Sequence, residues 1–441
     1  LSSVFSKYLQ VFNAKQFKES VSEPTASNVY LTFGKSTAWA NEASPVQADT
    51  SVDSYYSVWD NMIAAKKISG NDIRHVVPRF DWSSGTVYAA YDDSLDSKTL
   101  KSDTNEFFVV TDDWNVYKCI ANNYGAQSTS KPISILTTTD FQTEDGYIWK
   151  YMYTVSNEEI LRFVTDDYIP VKTLTVNDGS LQWSVQNNAV RGGIHSIVLT
   201  DHGSSYTSND ITIIISGDGS DAAAIAVRNT TSNIVESIVM TDVGINYTYA
   251  NVTVSSATGS GAVARAIISP RGGHGSDPLT ELGGSNLLIN TRVKSSEGGK
   301  IVTTNDYRQV TLLEDPLIYD GTETMSNTAV SQLTKITLNG SSVDYIEDEV
   351  VYQGLSLAAS TFSGNVVEWD SANNILKLSN IRGTPSSELV NGVTSTASRF
   401  LSSVETSEMK RYTGNLLYIN NISPIQRSSD QVEDFKIILK F

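Results

Sequence analysis

A chain of 441 residues with 49 acidic against 32 basic side chains carries a net charge of −17. That balance argues against binding to nucleic-acid backbone or to an anionic membrane, since both need concentrated positive charge, and leaves other proteins as the expected partners. A single cysteine, Cys119, excludes an intrachain disulfide and a thiolate metal cluster, while the length allows roughly two to four domains.

The N-terminal stretch SSVFSKYLQVFNAKQF places Phe5, Leu9, Phe12 and Gln16 at helical spacing and predicts a helix with three apolar positions on one face. NVYLTFG (28–34) follows as a strand. A second helix is predicted over DSYYSVWDNMIAAKKI (53–68), where Tyr55, Val58, Trp59, Met62 and Ile63 form an apolar stripe. Thr50 and Asp53 stand ahead of it at capping-box spacing. HVVPRFDW (75–82) reads as extended, because Pro78 disfavours helix in the residue before it. Cys119, in NVYKCIANN, reads as a small buried apolar residue.

In DGYIWKYMYTV (145–155), Asp-Gly signals a turn, and Tyr147, Trp149, Tyr151 and Tyr153 fall on every second position. Side chains alternate across a strand, so the four rings share one face, with Lys150 and Met152 on the other. Packed core or a buried subunit contact is the expectation for so much apolar area, in preference to an open platform for sugars or bases.

The middle of the chain repeats itself. IHSIVLTDHGSSYTSNDITI (194–213) aligns with VESIVMTDVGINYTYANVTV (235–254) at an offset of 41, with Gly203 and Gly244 at matching turns. Each copy then reaches an alanine-rich strand, DAAAIAV (221–227) and GAVARAI (261–267). Two copies predict a paired β module and fall short of the three or more expected of a solenoid. A further small β module is predicted near 345–383, where Val366, Glu368 and Asp370 alternate with Val367 and Trp369. DSANN (370–374) supplies its hairpin loop, and NLLYINN and DFKIILKF close the chain as strands.

The chemistry-bearing motifs fail on spacing. FGKST (33–37) lacks the glycine five positions before Gly34 that a phosphate loop needs. GDGSD (217–221) has the flavour of a calcium turn, but its counterpart TGSGA has no carboxylates. His75, His195, His202 and His274 include no pair at zinc-ligand helical spacing, and RGGHGSDP (271–278) reads as a flexible turn around His274. Acidic residues are abundant, and no pair is marked out for glycoside hydrolysis. No secretory signal and no apolar run of membrane-spanning length are read. The expectation is therefore a protein without catalytic, cofactor or metal site.

Several segments, in order, resemble one family. NVYLTFGKSTAW, VWDNMIAAKKISGNDIRHVVPRFDW, VYKCIANNYG, DGYIWKYMYTV, DDYIPV, DYRQVTLLEDPL (306–317) and GNLLYINNISPIQRSSDQVEDFKIILKF are similar to the baseplate wedge protein called gene product eight of T-even-type contractile-tailed phages. Phe33, Gly34, Trp39, Trp59, Pro78, Arg79, Trp82, Tyr147, Trp149 and Tyr151 are the motif residues the resemblance marks as structural. It implies a virion subunit of the tail baseplate, made and assembled in the host cytoplasm and dimeric within each of six wedges around the hub. Neighbouring wedge subunits resembling gene products six, seven and ten are the implied partners, with no enzymatic role and no cofactor.

The expected fold is mainly β with a few N-terminal helices (α+β), in β-sandwich or barrel-like modules. Residues 1–86, 280–319 and 405–441 are assigned to a discontinuous main domain and 87–190 to a second β domain. Residues 191–272 are read as the inserted duplicated repeat and 320–404 as an inserted small β module. The alternatives are a carbohydrate-binding or adhesin-like tail protein using exposed rings on the insertions, and a polysaccharide-degrading enzyme.

Overall fold

The strand-forming runs pair into antiparallel sheets in a computed structural model that describes residues 5–23, 27–94 and 106–441. Strand is the commonest element, in several sheets and a closed barrel, with five α-helices among the described residues. The helices are not confined to the N-terminus: α1 (Lys7–Ser22) and α2 (Val52–Asn61) are joined by α3 (Asn157–Phe163), α4 (Leu181–Asn187) and α5 (Pro278–Glu281). None of them, among the described residues, is long and apolar enough to cross a membrane. The chain divides into two compact units, one of residues 1–16, 74–288 and 438–441 and the other of residues 17–73 and 289–437.

The second unit is built on a five-stranded sheet ordered β17-β2-β1-β16-β24, from β1 (Val29–Gly34), β2 (Met62–Lys67), β16 (Tyr307–Glu314), β17 (Ala329–Ser331) and β24 (Asn415–Ile425). Its core gathers Tyr30, Trp59, Met62, Leu313, Val330 and Met409. The helix predicted over 53–68 stops at Asn61, and Met62 turns extended to begin β2. Met62, Ile63, Ala64 and Ala65 are all buried, which suits a strand covered on both faces and not a one-sided stripe. Ser51, rather than Thr50, caps the helix, accepting from the Ser54 amide at 3.1 Å. In the same unit β15 (Asn286–Lys294) lies beside β25 (Val432–Lys440).

A closed barrel completes this unit, in the order β18-β21-β20-β19-β22-β23: β18 (Thr334–Asn339), β19 (Val350–Gly354), β20 (Ser360–Asp370), β21 (Ile375–Gly383), β22 (Leu389–Gly392) and β23 (Ser398–Glu405). Ile336, Val351, Phe362, Val366, Leu376 and Leu378 fill it. The predicted alternation in β20 breaks at a register shift between Val366 and Glu368, so that both Val366 and Val367 are buried.

The first unit contains a sheet ordered β4-β5-β7-β6, from β4 (Phe108–Val110), β5 (Asn115–Ala121), β6 (Phe141–Gln142) and β7 (Ile148–Thr154). Beside it, β3 (Ile73–Pro78) pairs with β8 (Tyr168–Pro170). The N-terminal helix reading, which begins outside the described residues, is realised as α1 with an unexpected orientation. Val11 and Ala14 are buried, while Phe5, Tyr8, Leu9 and Phe12 are exposed, Phe5 at 73%. The apolar stripe of the sequence reading faces outward.

The repeat forms a six-stranded sheet ordered β12-β11-β10-β13-β14-β9. The first copy supplies β9 (Ile194–Ser204), β10 (Thr212–Gly217) and β11 (Ser220–Asn229). The second supplies β12 (Ile234–Ile245), β13 (Ala250–Ser255) and β14 (Ser260–Ile268). β10 and β13 pair at the centre, and the long first strand of each copy crosses to the third strand of the other. Neither copy completes its sheet alone. The exchange is mirrored in detail: Tyr206 of the first copy lies over Gly259 of the second, and Tyr247 of the second lies over Gly219 of the first.

Gly203 and Gly244 sit inside the long strands, just past a bulge in each, and not at turns. Their φ values are +60° and +61°, and Asp201 and Asp242 accept their amides at 2.8 and 3.0 Å. A Cβ at Gly244 would lie 2.6 Å from the Ala222 amide nitrogen and from the Ser220 carbonyl oxygen. Gly244→Ala is therefore expected to destabilise the protein by more than about 1 kcal/mol, through positive-φ strain and the clash together. Chemical denaturation followed by circular dichroism measures it, and an unshifted midpoint would contradict the bulge geometry.

Candidate functional site

The aromatic strand is interior. Tyr147, Trp149 and Tyr151 of β7 cluster with Tyr88, Tyr117 and Cys119, all essentially inaccessible. Tyr147 and Trp149 stack with centroids 5.5 Å apart, and Tyr88 meets Trp149 edge-on at 5.9 Å. Tyr153 is drawn into a neighbouring cluster with Val110, Val116 and Ile169, its hydroxyl donating to the Pro170 carbonyl at 3.0 Å. Lys150 and Met152 on the opposite face are buried too, so β7 is covered on both sides. Burial also pushes the Cys119 thiol well above its ordinary pKa, which makes it an inert core residue.

Asp145 fastens the turn before this strand. Its carboxylate accepts from the Thr129 and Ser130 amides at 2.7 and 2.9 Å and from the Ser128 and Thr143 hydroxyls at 3.0 and 2.5 Å. Burial raises its pKa, but these hydrogen bonds outweigh burial and leave it lowered. Trp82 joins through Ser128, to which its Nε1 donates at 3.1 Å. Pro78 ends β3 opposite Tyr168, and Arg79 donates to the Thr165 carbonyl at 3.1 Å while lying over Trp114.

The remaining motif residues lie in the second unit. Phe33 packs between Tyr307 and Phe435, Trp59 is core, and Trp39 donates to the Ile422 carbonyl at 3.0 Å. A Cβ at Gly34 would come within 2.9 Å of the Asn61 carbonyl, so glycine lets β1 pass the end of α2. Lys35, in the loop-like FGKST, lies over the Trp39 ring and holds no phosphate cradle. The ten motif residues are divided between the two units and converge on no cleft.

What the sequence reading missed is a buried charged cluster in the first unit. Lys118 of β5 and Glu281 of α5 form an ion pair at 2.9 Å with side-chain exposures of 0% and 3%. Glu281 also accepts from the Gly275 and Asp277 amides. The Lys118 ammonium lies 4.0 Å from the Tyr91 ring centre, Tyr91 meets His274 edge-on, and His274 meets His195. His195 Nδ1 donates to Asp140 at 2.5 Å, and Lys150 stands 3.7 Å from the same carboxylate. His274 does sit in a turn, but it is buried there. Burial, then Lys118, His195 and Lys150, hold its pKa well below the ordinary value, so it stays neutral.

The cluster is placed for fastening. His195 opens β9 and His274 follows β14, so the two chain ends of the duplicated sheet meet each other and are held by Asp140 and Tyr91. Among the described residues no group of three or more His, Cys, Asp or Glu is placed to hold a metal ion. The carboxylate of Asp218 in GDGSD is engaged by the protein itself, with hydrogen bonds from Thr248 and Tyr249 pulling its pKa down to about 2.

Besides a hollow of about 490 Å³ that Lys7, Tyr8 and Phe12 line with Pro270, Arg271 and Gly272, this unit holds a cavity of about 450 Å³. Ile120, Phe141 and Ile148 line one side, and Ile197, Val198 and Val239 line the other, with Tyr124 exposed beside them. Its walls are mostly apolar but take in Asp140 and His195 of the cluster, and no hydroxyl hydrogen-bonds the His195 Nε2 atom.

Comparison with known families supplies a likeness that the geometry alone does not. Residues 2–140 match the family described as Phage-Gp8, "Bacteriophage T4, Gp8", a baseplate structural family. The chain resembles T4 gene product eight. Comparison with curated protein sequences returns no match. The matched stretch contains β1, α2, β2, β3, β4 and β5, which carry much of the core of both units, whereas the duplicated sheet and the barrel lie outside it.

Trp149→Ala is expected to destabilise the fold by about 3–5 kcal/mol, the range for a large aromatic removed from a packed core; an unchanged denaturation midpoint would place the ring outside the core. Lys118→Met should also cost about 3–5 kcal/mol, because it strands the Glu281 carboxylate in a dry interior. The double variant Lys118→Met with Glu281→Leu should recover most of that loss. A double variant no more stable than the single one would show that the pair is not the source of the penalty.

Proposed function

We propose that the protein is a structural subunit of a phage tail baseplate, scaffolding the wedge around the tail hub of a contractile-tailed phage. The observation that carries this reading is the match of residues 2–140 to the T4 Gp8 family, whose matched residues here are core strands and their connections and not a detachable motif. The burial of every ring in the aromatic strand supports it as well, since those rings serve packing. On this reading the chain pairs with itself in the wedge and contacts subunits resembling gene products six, seven and ten. It acts in the virion after assembly in the host cytoplasm, without catalytic activity, cofactor, nucleic acid or membrane contact.

The duplicated sheet and the barrel are, on the same reading, additions carried by the wedge scaffold. The −17 charge keeps such a subunit soluble before assembly and leaves docking to localised uncharged patches. The direct test is to remove the protein from an infection and examine the particles. Tails without baseplates, restored when the gene is supplied in trans, are expected, and antibody labelling should fall on the baseplate. Normal, infectious particles lacking the protein would refute the assignment.

A further inference from the structure

The duplicated sheet is symmetric in backbone but not in the chemistry of its outer face. Arg265 of β14 pairs across the strands with Val198 of β9, and the equivalent pair in the other half is Ile225 of β11 with Val239 of β12. Arg265 ties its half to the scaffold through ion pairs with Asp92 and Asp93. Ile225 makes no such tie. It is exposed, and so are Val239, Val227 and Ile214, which adjoin it across β10, β11 and β12. Val239 also lines the 450 Å³ cavity, so the cavity adjoins the exposed face at that residue. Glu236, Asp242 and Asp201 stand exposed around it.

Elsewhere in the same unit the chain presents an apolar surface flanked by the opposite charge. The outward stripe of α1 offers Phe5, Tyr8, Leu9 and Phe12, and the helix carries Lys7, Lys15 and Lys18 against one acidic residue, Glu19. An apolar stripe with lysines beside it matches an apolar face with carboxylates beside it. Two facing copies of α1 would instead oppose lysine to lysine.

We propose that α1 of a second copy of this chain docks its Phe5–Phe12 stripe on the Ile214–Ile225–Val239 face and its adjoining cavity. This rests on the self-pairing part of the functional reading above and names the surface that pairing uses. Reciprocal exchange of α1 between two copies closes a dimer, since each chain then gives one helix and receives one.

The buried state of Cys119 makes the test clean, because an engineered surface cysteine is then the reactive one. Phe12→Cys and Val239→Cys proteins are treated with a short bis-maleimide, separately and mixed. A cross-linked species of twice the 48.1 kDa chain mass is expected from the mixture and not from either variant alone. Light scattering coupled to size exclusion should give the two-chain mass for the unmodified protein. Phe12→Glu and Ile225→Glu should each give the single-chain mass with an unchanged melting temperature, since both side chains are exposed.

Cross-linking of Phe12→Cys with itself, or a dimer that survives Ile225→Glu, would overturn the surface assignment while leaving pairing intact. A single-chain mass for the unmodified protein at micromolar concentration would overturn the proposal altogether. The baseplate assignment stands or falls separately, on the particles made without the protein.

Discussion

A charge cannot be left alone in a dry interior, and that constraint organises the first unit. Lys118 and Glu281 have no access to water, so each requires the other, and Glu281 requires the Gly275 and Asp277 amides as well. Such a pair contributes little net stability compared with apolar residues of the same volume, yet losing one partner is costly. Its effect is to fix geometry. The loop 270–281 must sit where Glu281 reaches β5, His274 must then lie between Tyr91 and His195, and His195 must meet Asp140 beside Lys150. The two chain ends of the duplicated sheet are thereby held at Asp140 and Tyr91 through contacts that tolerate few alternatives.

The sheet held this way has its own internal constraint. Because β9 pairs with β14 and β12 with β11, the two copies of the repeat complete each other, and each tyrosine covers the other copy's glycine. A single copy would leave edge strands and half a core, which explains why the unit occurs as a pair. The positive-φ glycines beyond the bulges let the long strands bend enough to serve both sides. Once the pairing closes, the two outer faces are free to diverge, and they have done so at Arg265 and Ile225.

Much of this was legible in the sequence and some was not, for reasons that differ by element. The aromatic strand was readable because period-two spacing and large rings point the same way, and Cys119 because an isolated thiol among apolar neighbours has few other fates. The repeat was readable from self-similarity, but its strand exchange was not, since local patterns do not say which copy a strand joins. Gly203 and Gly244 looked like turns because glycine marks positive φ wherever it occurs, in a bulge as well as in a turn. The stretch 62–67 was mistaken for helix because a short, wholly apolar run fits either period, and pairing with β1 decided it. The cluster was hidden because Lys118, Glu281, His195 and His274 are far apart in sequence, and an abundant acidic background masks the one carboxylate that is buried.

The orientation of α1 is the most informative of these departures. Periodicity finds an apolar stripe but cannot say whether its partner is the same chain. Here Val11 and Ala14, small and off the stripe, face the core, while the large residues face out. In a chain whose charge favours solubility, an uncovered row of two phenylalanines, a tyrosine and a leucine is hard to reconcile with a free monomer. The exposed aliphatic face of β10, β11 and β12 has the same character and lacks the arginine that tethers its counterpart. On the function proposed above, a subunit built for a larger assembly would account for both observations together, with assembly covering apolar area that folding leaves exposed.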